Sequence, residues 1–559
     1  MKQTSHQWPA EASQPANLLQ LKILVVVCGA VLMALEIIGS RVISPYFGHS
    51  IYVWGSIISI FLGALSLGYY LGGKLADRFP SLRLLCSIIA VSGVAMLVLR
   101  YVAPSVCTSV YDAQLGPKWG TLTACLILFF VPSLLLGTVS PFSVRLATMN
   151  VANVGKTAGL LYALSTLGSI VGTLLTSFVL IDTMGTNTVV LSLGATLVVA
   201  ALGAGLWTLR GRWKRNAPAV VSALLLPIAF FVPPPEHLGI IGKGDTIIYE
   251  TDSPYQHIIV SEGKAKNERM RRNLQFDRYI ESAIYVPQPG EPSKSIRAAT
   301  SYTDMMHLPV VFNPGLRTVL QIGGGGGTVP REYHDHYGFN RDGTPREGFS
   351  VEIAEIDPKV VDMAEKFFYF QPGPNLRVTV DDGRMYLKSA KRKYDVILVD
   401  AFSGGGQIPF HLTTKEFFTE IKNRLTPDGI VAMNVISALG GDRGQLYLAI
   451  LRTWQQVGFG QIYVFPKYDR WLEPPLQREM SRNVILLATM STKRLTKADI
   501  ELAALGLYQD DVIKIDTVVE HAKRYLQGEE SIDFESDPIL KKIPVLTDDY
   551  APVELMARE

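Results

Sequence analysis

Six runs of about twenty mostly apolar residues fill the first 235 positions, and they constrain the fold more than any other feature. A helix that crosses a bilayer needs about 20 such residues. The runs predict a multi-span helical membrane domain over residues 1–235, and the first is expected to be a span because further spans follow it. They lie at residues 21–39, 51–73, 82–102, 120–142, 156–181 and 187–209.

The charges of the loops orient these spans. Basic residues follow the second, fourth and sixth runs, and basic loops stay in the cytoplasm. We therefore expect a multi-pass cell-membrane protein with a cytoplasmic N-terminus. The basic residues are Lys74, Arg78, Arg83, Arg145, Lys156, Arg210, Arg212, Lys214 and Arg215.

A seventh apolar run, 217–232, leaves the side of the C-terminal half open. This run is shorter and contains Pro218 and Pro227. Six spans place the rest of the chain in the cytoplasm, whereas seven place it outside. We favour six spans, with the seventh run peripheral or re-entrant, and therefore a cytoplasmic C-terminal half.

Small residues in the fifth run predict where that helix packs. Ser165, Gly168, Ser169 and Gly172 recur at helical spacing. Such residues let two membrane helices approach closely. We expect this ridge to be a helix-packing face.

Composition excludes several classes of function. Charged residues make up only 18% of the chain and the net charge is +3, which argues against a nucleic-acid partner. All four cysteines lie in the apolar half: Cys28, Cys86, Cys107 and Cys125. No cysteine–histidine spacing is typical of zinc, so no metal site is predicted.

The C-terminal half has the pattern of a soluble α/β domain. Apolar and polar residues alternate over 247–285, which predicts a small antiparallel β unit within 236–315. Short apolar runs then alternate with helical stretches over 316–559. This order predicts a parallel, doubly wound sheet of the Rossmann-like type. The expected strands are 319–322, 349–356, 378–380, 395–399 and 429–434.

Polar features follow four consecutive strands of this predicted sheet. The turn Gly323–Gly327 follows the first strand, Glu355 ends the second, Asp381–Gly383 follows the third, and Asp400 ends the fourth. Ligands of such sheets bind at the carboxyl ends of the strands. Glycines let a backbone approach a ligand closely, and a carboxylate at the second strand end can accept both hydroxyls of a ribose. The sequence therefore predicts a nucleoside site at this edge.

These residues resemble the spermidine synthase family of aminopropyltransferases, which have a Rossmann-like, class I methyltransferase-type fold. The whole chain resembles the membrane-fused members of that family. The matching segments are Asp252–Gln256, Leu274–Asp277, Tyr302–Pro309, Ile322–Gly327, Glu355, Asp382, Tyr394–Asp400 and Leu546–Pro552.

The resemblance implies an activity and its substrates. An aminopropyl group would pass from decarboxylated S-adenosylmethionine, a nucleoside sulfonium, to an amine such as putrescine. The donor is a cosubstrate, so no cofactor is permanently bound. The family's members commonly form dimers or tetramers, so a homodimer is one of the assemblies that the resemblance implies.

The resemblance implies a role for each site residue. Asp400 is the catalytic carboxylate. Tyr302, Asp304 and Ser403 are the candidate amine-pocket residues. The donor's nucleoside and aminopropyl chain would be held by Gln256, Gly323, Gly324, Gly325, Gly327, Glu355 and Asp382.

The chain departs from the family pattern at two carboxylates. Gly326 stands where the family usually has the aspartate that holds the aminopropyl ammonium, and Ser403 stands where a second aspartate helps to hold the diamine. Each lost charge-assisted hydrogen bond is worth about 1.5–3 kcal/mol, which is tenfold or more in affinity. The insertion 334–348 is expected to be an exposed polar loop, and His411 either closes the site or packs against its surroundings.

Two other functions are compatible with these residues. A methyltransferase that uses intact S-adenosylmethionine shares the fold, the glycine turn, Glu355 and Asp382. A membrane transporter or sensor gated by a nucleoside or polyamine would need binding without chemistry. The presence of Asp400 favours an enzyme.

Overall fold

A computed structural model describes the chain over ten segments and divides it into two compact units, Met1–Ile240 and Ile241–Glu559. The seventh apolar run, 217–232, lies outside the described residues. The described segments are 18–48, 51–148, 154–207, 241–242, 244–265, 268–288, 296–403, 406–467, 480–527 and 532–556.

The described part of the first unit consists of helices. Six helical stretches in its described part are long and apolar enough to cross a membrane, in agreement with the six expected spans. The fourth stretch contains two helices, and the fifth continues through a π-helical turn, Thr176–Leu180. The helices are α1 (Leu18–Phe47), α2 (Ile51–Arg78), α3 (Leu82–Asp112), α4 (Gly116–Gly137), α5 (Val139–Ala147), α6 (Val154–Leu175), α7 (Ile181–Thr183) and α8 (Thr186–Trp207).

Glycines bring α1 and α6 into backbone contact. A Cβ atom added to Gly168 would lie 2.1 Å from the carbonyl oxygen of Val26, and one added to Gly172 would lie 2.1 Å from that of Ala30. No larger side chain fits at either position. The small-residue ridge is therefore a helix-packing face, as expected.

The second unit opens with a four-stranded antiparallel sheet. Its strands pair in chain order, and the buried residues of the middle strands include Ile258, Val260 and Leu274. The alternating sequence pattern therefore corresponds to an antiparallel sheet, and the consecutive buried residues Ile258, Ile259 and Val260 show that β2 is covered on both faces. The strands are β1 (Thr246–Asp252), β2 (His257–Lys264), β3 (Met270–Phe276) and β4 (Tyr279–Tyr285).

A seven-stranded sheet forms the centre of the second unit. Its strands lie in the order β10-β11-β9-β8-β5-β6-β7. The strands are β5 (Thr318–Ile322), β6 (Ser350–Glu355), β7 (Leu376–Val380), β8 (Tyr394–Val399), β9 (Leu425–Ser437), β10 (Gln461–Pro466) and β11 (Arg482–Thr489).

The sheet is mixed. The five strands predicted from the sequence, β5 to β9, are parallel, as expected, whereas the reversed strand β11 was not predicted. Neighbouring strands in the row β7-β6-β5-β8-β9 are parallel, whereas β11 runs antiparallel to both of its neighbours, β9 and β10. A parallel pair of strands needs a crossover connection. Strand β11 instead follows β10 in the chain and lies between β10 and β9, antiparallel to both. The order and the single reversed strand define a class I methyltransferase-type sheet.

Helices cover both faces of this sheet. Asp357, Asp382 and Thr414 each cap a helix by accepting a backbone N–H with the side chain. The helices are α9 (Ser301–Met305), α10 (Pro309–Phe312), α11 (Thr328–Tyr337), α12 (Pro358–Phe367), α13 (Gly383–Ser389), α14 (Lys415–Arg424), α15 (Gln445–Val457), α16 (Lys497–Gln509), α17 (Thr517–Ala522) and α18 (Val553–Met556).

Alternate residues of the central strands enter two different cores. Leu320 and Ile397 pack in one, beneath α14 and α15, while Val319 and Val396 pack in the other, beneath α11 and α16. Both faces of the sheet are therefore buried, which explains the continuous apolar runs of these strands.

The insertion 334–348 is only partly the exposed loop that we expected. Its first residues complete α11, and Tyr337 is buried there with its hydroxyl 3.2 Å from Nδ1 of His307. An exposed turn follows, closed by a bridge between Phe339 and Pro345. The prediction failed for the first residues because the apolar ring of Tyr337 is on the core side of the helix.

Candidate active site

The carboxyl ends of four parallel strands converge at one edge of the large sheet. Backbone hydrogen bonds continue past the strands from Asp400 N to Ile322 O at 2.9 Å, and from Gly323 N to Ala354 O at 2.9 Å. A third joins Asp381 N to Glu355 O at 3.0 Å. The structure therefore brings the glycine turn, Glu355, Asp382 and Asp400 to the same edge.

The glycine turn lies against the backbone that carries Asp400. Gly323 has a φ of +89°, and a Cβ atom there would lie 2.3 Å from the carbonyl oxygen of Asp400. Only glycine can adopt this positive φ and also lie this close to the carbonyl oxygen of Asp400, because it has no Cβ atom. At the other end of the turn, Gly327 has a φ of +68° and faces the ring of Phe370. The turn is thus shaped by contacts at both ends.

Glu355 is held by backbone N–H groups on either side of it. Its Oε2 accepts from Gly324 N at 2.7 Å, and its Oε1 accepts from Asp357 N at 3.0 Å. Burial raises the pKa of Glu355, although these hydrogen bonds oppose the rise. Each carboxylate oxygen keeps a second lone pair. The carboxylate is therefore fixed and can still accept from two neighbouring hydroxyls.

The two carboxylate oxygens of Asp382 have different partners. Its Oδ1 caps α13 by accepting from Arg384 N at 3.0 Å and Met385 N at 2.9 Å. Its Oδ2 lies 3.1 Å from Nε2 of His411, and this hydrogen bond lowers the pKa of Asp382. We expected His411 either to close the site or to pack against its surroundings. The structure shows that His411 contacts Asp382, a residue of the candidate site.

Asp400 is half-buried and is oriented by a pair of asparagines. Asn434 Nδ2 donates to Oδ1 of Asp400 at 2.9 Å, and Asn483 Nδ2 donates to Oδ1 of Asn434 at 3.1 Å. Among the described residues, none donates a hydrogen bond to Oδ2 of Asp400. Burial raises the pKa of Asp400 to about 6, although the Asn434 bond opposes it. This carboxyl has a free oxygen and titrates near neutrality.

The two asparagines were not found from the sequence. Asn434 follows the apolar run 430–433, and Asn483 is the second residue of β11. A buried amide in an apolar strand needs a partner. That rule could have predicted a hydrogen-bond partner for Asn434 on the neighbouring strand. It could not have predicted that Asn434 donates to Asp400.

Tyr302 lies beside Asp400. Its hydroxyl donates to the carbonyl oxygen of Glu281 at 2.8 Å. Burial, with the nearby charges of Asp400 and Glu281, raises the pKa of Tyr302 well above its usual value. The phenol is therefore neutral across the physiological range, with lone pairs available at the site.

Glu281 is a site residue that sequence reasoning missed. Burial and the charges of Asp400, Asp277 and Glu355 raise its pKa well above the usual value. The available signal was an acidic side chain inside the otherwise apolar strand 279–284. The structure therefore adds a second carboxyl beside Asp400.

Asp304 does not join this group, in contrast to the expectation that it lines the amine pocket. Residues two apart on a helix face different ways, and Asp304 is two residues beyond Tyr302 on α9. Its Oδ2 accepts from the hydroxyl of Thr517 at 2.5 Å on α17. Its charged neighbours are Glu332, His307 and Arg297, none of which lies in the Asp400 group.

Gln256 and Ser403 both lie in tight turns. Gln256 is buried, its N–H donates to Oγ of Ser253 at 3.0 Å, and its carbonyl accepts from Ser253 N at 2.9 Å. The hydroxyl of Ser403 donates to Gln407 O at 3.0 Å. Ser403 therefore uses its one donor within its own loop, and only its oxygen lone pairs remain for an ammonium.

Comparison with known proteins identifies the second unit. Residues 300–463 match the spermine/spermidine synthase domain family. The polyamine aminopropyltransferase of Vibrio vulnificus is 35% identical over 231 residues, which is 39% of this chain and 67% of that protein. The enzyme of the same name from Buchnera aphidicola is 26% identical over 242 residues, 42% of this chain and 74% of that one.

A solved structure is similar as well. The probable spermidine synthase of Corynebacterium glutamicum is 21% identical with a TM-score of 0.36, over 47% of this chain and 88% of that chain. The extent and identity of the match to the Vibrio vulnificus enzyme settle the family. In the described part of the chain, six helical stretches that are long and apolar enough to cross a membrane precede the matched region. The chain belongs to the polyamine aminopropyltransferase, or spermidine synthase, family.

Proposed function

We propose that this protein transfers an aminopropyl group from decarboxylated S-adenosylmethionine to a primary amine such as putrescine. The observation that carries the proposal is the state of Asp400. Its carboxyl is fixed by Asn434, has an oxygen that no described residue donates to, and has a pKa of about 6. A group of this kind is suited to accept a proton at neutral pH.

The acceptor has to lose a proton before it reacts. An alkylammonium has a pKa near 10 and no lone pair while it is protonated. Asp400 Oδ2 would accept that proton. The amine nitrogen then forms a bond to the methylene carbon attached to sulfur, the C–S bond breaks, and its electron pair stays on sulfur. The products are a polyamine and neutral methylthioadenosine, so charge and atoms balance.

The strand-end residues would position the donor. Glu355 is fixed by two backbone N–H groups and would accept the ribose hydroxyls. Asp382 and His411 form a hydrogen-bonded pair that would lie beside the base. Gln256 lies in the turn that precedes β2 and would contact the nucleoside. Alignment of donor and acceptor by such groups accounts for much of the rate of a displacement.

A direct assay distinguishes this proposal from its rivals. Detergent-purified protein would be incubated with putrescine and either decarboxylated or intact S-adenosylmethionine, and the nucleoside product read by mass spectrometry. Methylthioadenosine together with a polyamine supports aminopropyl transfer. S-adenosylhomocysteine would show a methyltransferase instead. Binding without either product would favour a gated transporter or sensor.

The placement in the membrane is part of the same proposal. We infer that six spans anchor the protein with its N-terminus and its synthase unit in the cytoplasm, where the nucleoside donor is made. The basic loops after even-numbered spans support this orientation. A reporter fused to the C-terminus tests it, because an extracytoplasmic signal would contradict six spans. Light scattering of the purified protein would test the homodimer that the family resemblance implies.

A further inference from the structure

Strand β4 contains a bulge at the edge of the active site. Leu274 of β3 pairs with Ser282, and the next residue, Gln275, pairs with Ile280. Glu281 is the extra residue between these two pairs. A bulge of this kind redirects side chains and is frequent beside active sites. Here it allows two consecutive residues, Glu281 and Ser282, to reach the same site.

Ser282 reaches the glycine turn. Its Oγ accepts a hydrogen bond from Gly326 N at 2.9 Å. A Cβ atom added to Gly326 would lie 2.9 Å from Cβ of Ser282 and 3.2 Å from Cδ1 of Phe368. The space beside residue 326 is therefore filled. The turn has neither a carboxylate at this position nor room for one.

The carboxylate of Glu281 has no partner in the part of the chain that the structure describes. Among the described residues, none donates a hydrogen bond to it or forms an ion pair with it. The charges that act on it belong to Asp400, Asp277 and Glu355, and all three are negative. Desolvated carboxylates without a counter-charge are costly, and a cationic ligand relieves that cost.

We propose that Glu281 binds the terminal ammonium of the donor's aminopropyl chain and so selects decarboxylated over intact S-adenosylmethionine. The inference rests on the proposed function. In this chain the carboxylate that binds the ammonium lies on the bulge of β4 and not in the glycine turn. Ser282, the next residue along β4, accepts a hydrogen bond from the glycine turn. The intact donor adds an α-carboxylate next to the ammonium, and Glu281 and Asp400 would repel it.

The test compares ligand affinities, so it does not depend on turnover. Calorimetry would measure binding of decarboxylated S-adenosylmethionine, intact S-adenosylmethionine and methylthioadenosine to the full-length protein and to Glu281→Gln. We expect the variant to bind the decarboxylated donor about tenfold or more weakly, since a charge-assisted bond is lost. Methylthioadenosine lacks the ammonium, so its affinity should not change. The ratio of the affinity for the decarboxylated donor to that for the intact donor should also fall by about tenfold or more.

Two further variants complete the experiment. Glu281→Asp keeps the charge and should retain part of the preference. Glu365→Gln removes an exposed carboxylate of α12 and should match the unmodified protein. An equal loss for all three ligands in Glu281→Gln would show a merely structural residue and overturn the inference, as would an unchanged preference. If the unmodified protein itself prefers the intact donor, the proposed function fails instead.

Discussion

The guanidinium of Arg384 donates to both carboxylate oxygens of Asp548, from Nη1 to Oδ1 at 2.7 Å and from Nη2 to Oδ2 at 2.8 Å. Arg384 follows the Asp382 cap by two residues, and Asp548 belongs to the C-terminal segment Leu546–Pro552. The same Nη1 donates to the carbonyl oxygen of His411 at 3.2 Å. The C-terminal segment thus supports the His411–Asp382 pair from outside the site.

Asp548→Asn is expected to weaken donor binding. The substitution removes the charge from the bidentate contact, and Glu420 is then the main partner of Arg384. Because Asp548 is partly exposed, we expect a loss of about 1 kcal/mol in the free energy of unfolding and a fall of about 2–4 °C in Tm. KM for the donor should rise while kcat changes little, since Asp400 is untouched. Steady-state kinetics and thermal unfolding measure both effects.

The adjacent residue offers a matched control. Asp549 is exposed, and none of the described residues forms a hydrogen bond or an ion pair with it. Asp549→Asn should leave Tm and KM unchanged. Equal effects of the two substitutions would contradict a specific role for the Arg384–Asp548 contact.

Asp400→Asn should separate activity from stability. Loss of the proton acceptor is expected to lower kcat by about 10²–10⁴-fold. In the unmodified protein, log kcat should rise with unit slope up to about pH 6 and then level off, because Asp400 must be ionised to accept a proton. A profile that is flat between pH 5 and 7 would argue against Asp400 as the base.

The same substitution should stabilise the protein above pH 6. The folded-state pKa of about 6 lies above the usual 3.8. Between these values the folded state binds the proton more tightly, so stability is lost as pH rises from about 4 to 6. A shift of about two units corresponds to at most about 3 kcal/mol. The free energy of unfolding of Asp400→Asn should therefore exceed that of the unmodified protein at pH 8, and the gap should shrink at pH 4.

Sequence patterns predicted the strands and the strand-end residues because both follow local rules. Short apolar runs predict buried strands, and parallel strands place their carboxyl ends together, so the location of Glu355 and Asp400 at one edge of the sheet could be predicted. Glu281 and Asn434 escaped because their roles depend on a bulge and on pairing across the sheet. Asp304 was misplaced because a two-residue offset on a short helix directs its side chain to α17. Contacts between distant segments are not encoded in local periodicity.

His257→Gln tests the anchoring of the turn that carries Gln256. Burial alone would lower the pKa of His257, but hydrogen bonds with Asp252 at 2.6 Å and Glu250 at 3.0 Å outweigh it and raise the pKa to about 10. The imidazolium therefore contributes stability that is complete below about pH 6.5 and lost as pH rises through about 10. We expect the variant to lose about 1–3 kcal/mol at pH 7.

The pH dependence identifies the cause of that loss. Chemical unfolding of the unmodified protein and of His257→Gln would be measured at pH 6, 8 and 10.5. The difference in free energy should persist at pH 8 and narrow at pH 10.5, where the histidine loses its charge. A difference independent of pH would indicate lost packing and not a lost ion pair.

Gly326→Asp should reduce activity, although it restores the family's usual residue. The new Cβ would lie 2.9 Å from that of Ser282, and the turn would have to move away from Glu281. We expect a rise of about tenfold or more in KM for the donor. Gly373→Asp is the control, because a Cβ there has no neighbour within 4 Å. Increased activity of Gly326→Asp would show that the space beside residue 326 opens readily.

Gly168→Val tests the packing of the membrane unit. Its Cβ would lie 2.1 Å from the carbonyl oxygen of Val26, so α1 and α6 would have to separate. We expect a lower yield of monodisperse protein and a lower Tm in detergent. Gly159→Val, on the same helix, adds a Cβ with no neighbour within 4 Å and should behave like the unmodified protein. Equal behaviour of the two variants would show that α1 and α6 are not held in the close contact that Gly168 permits.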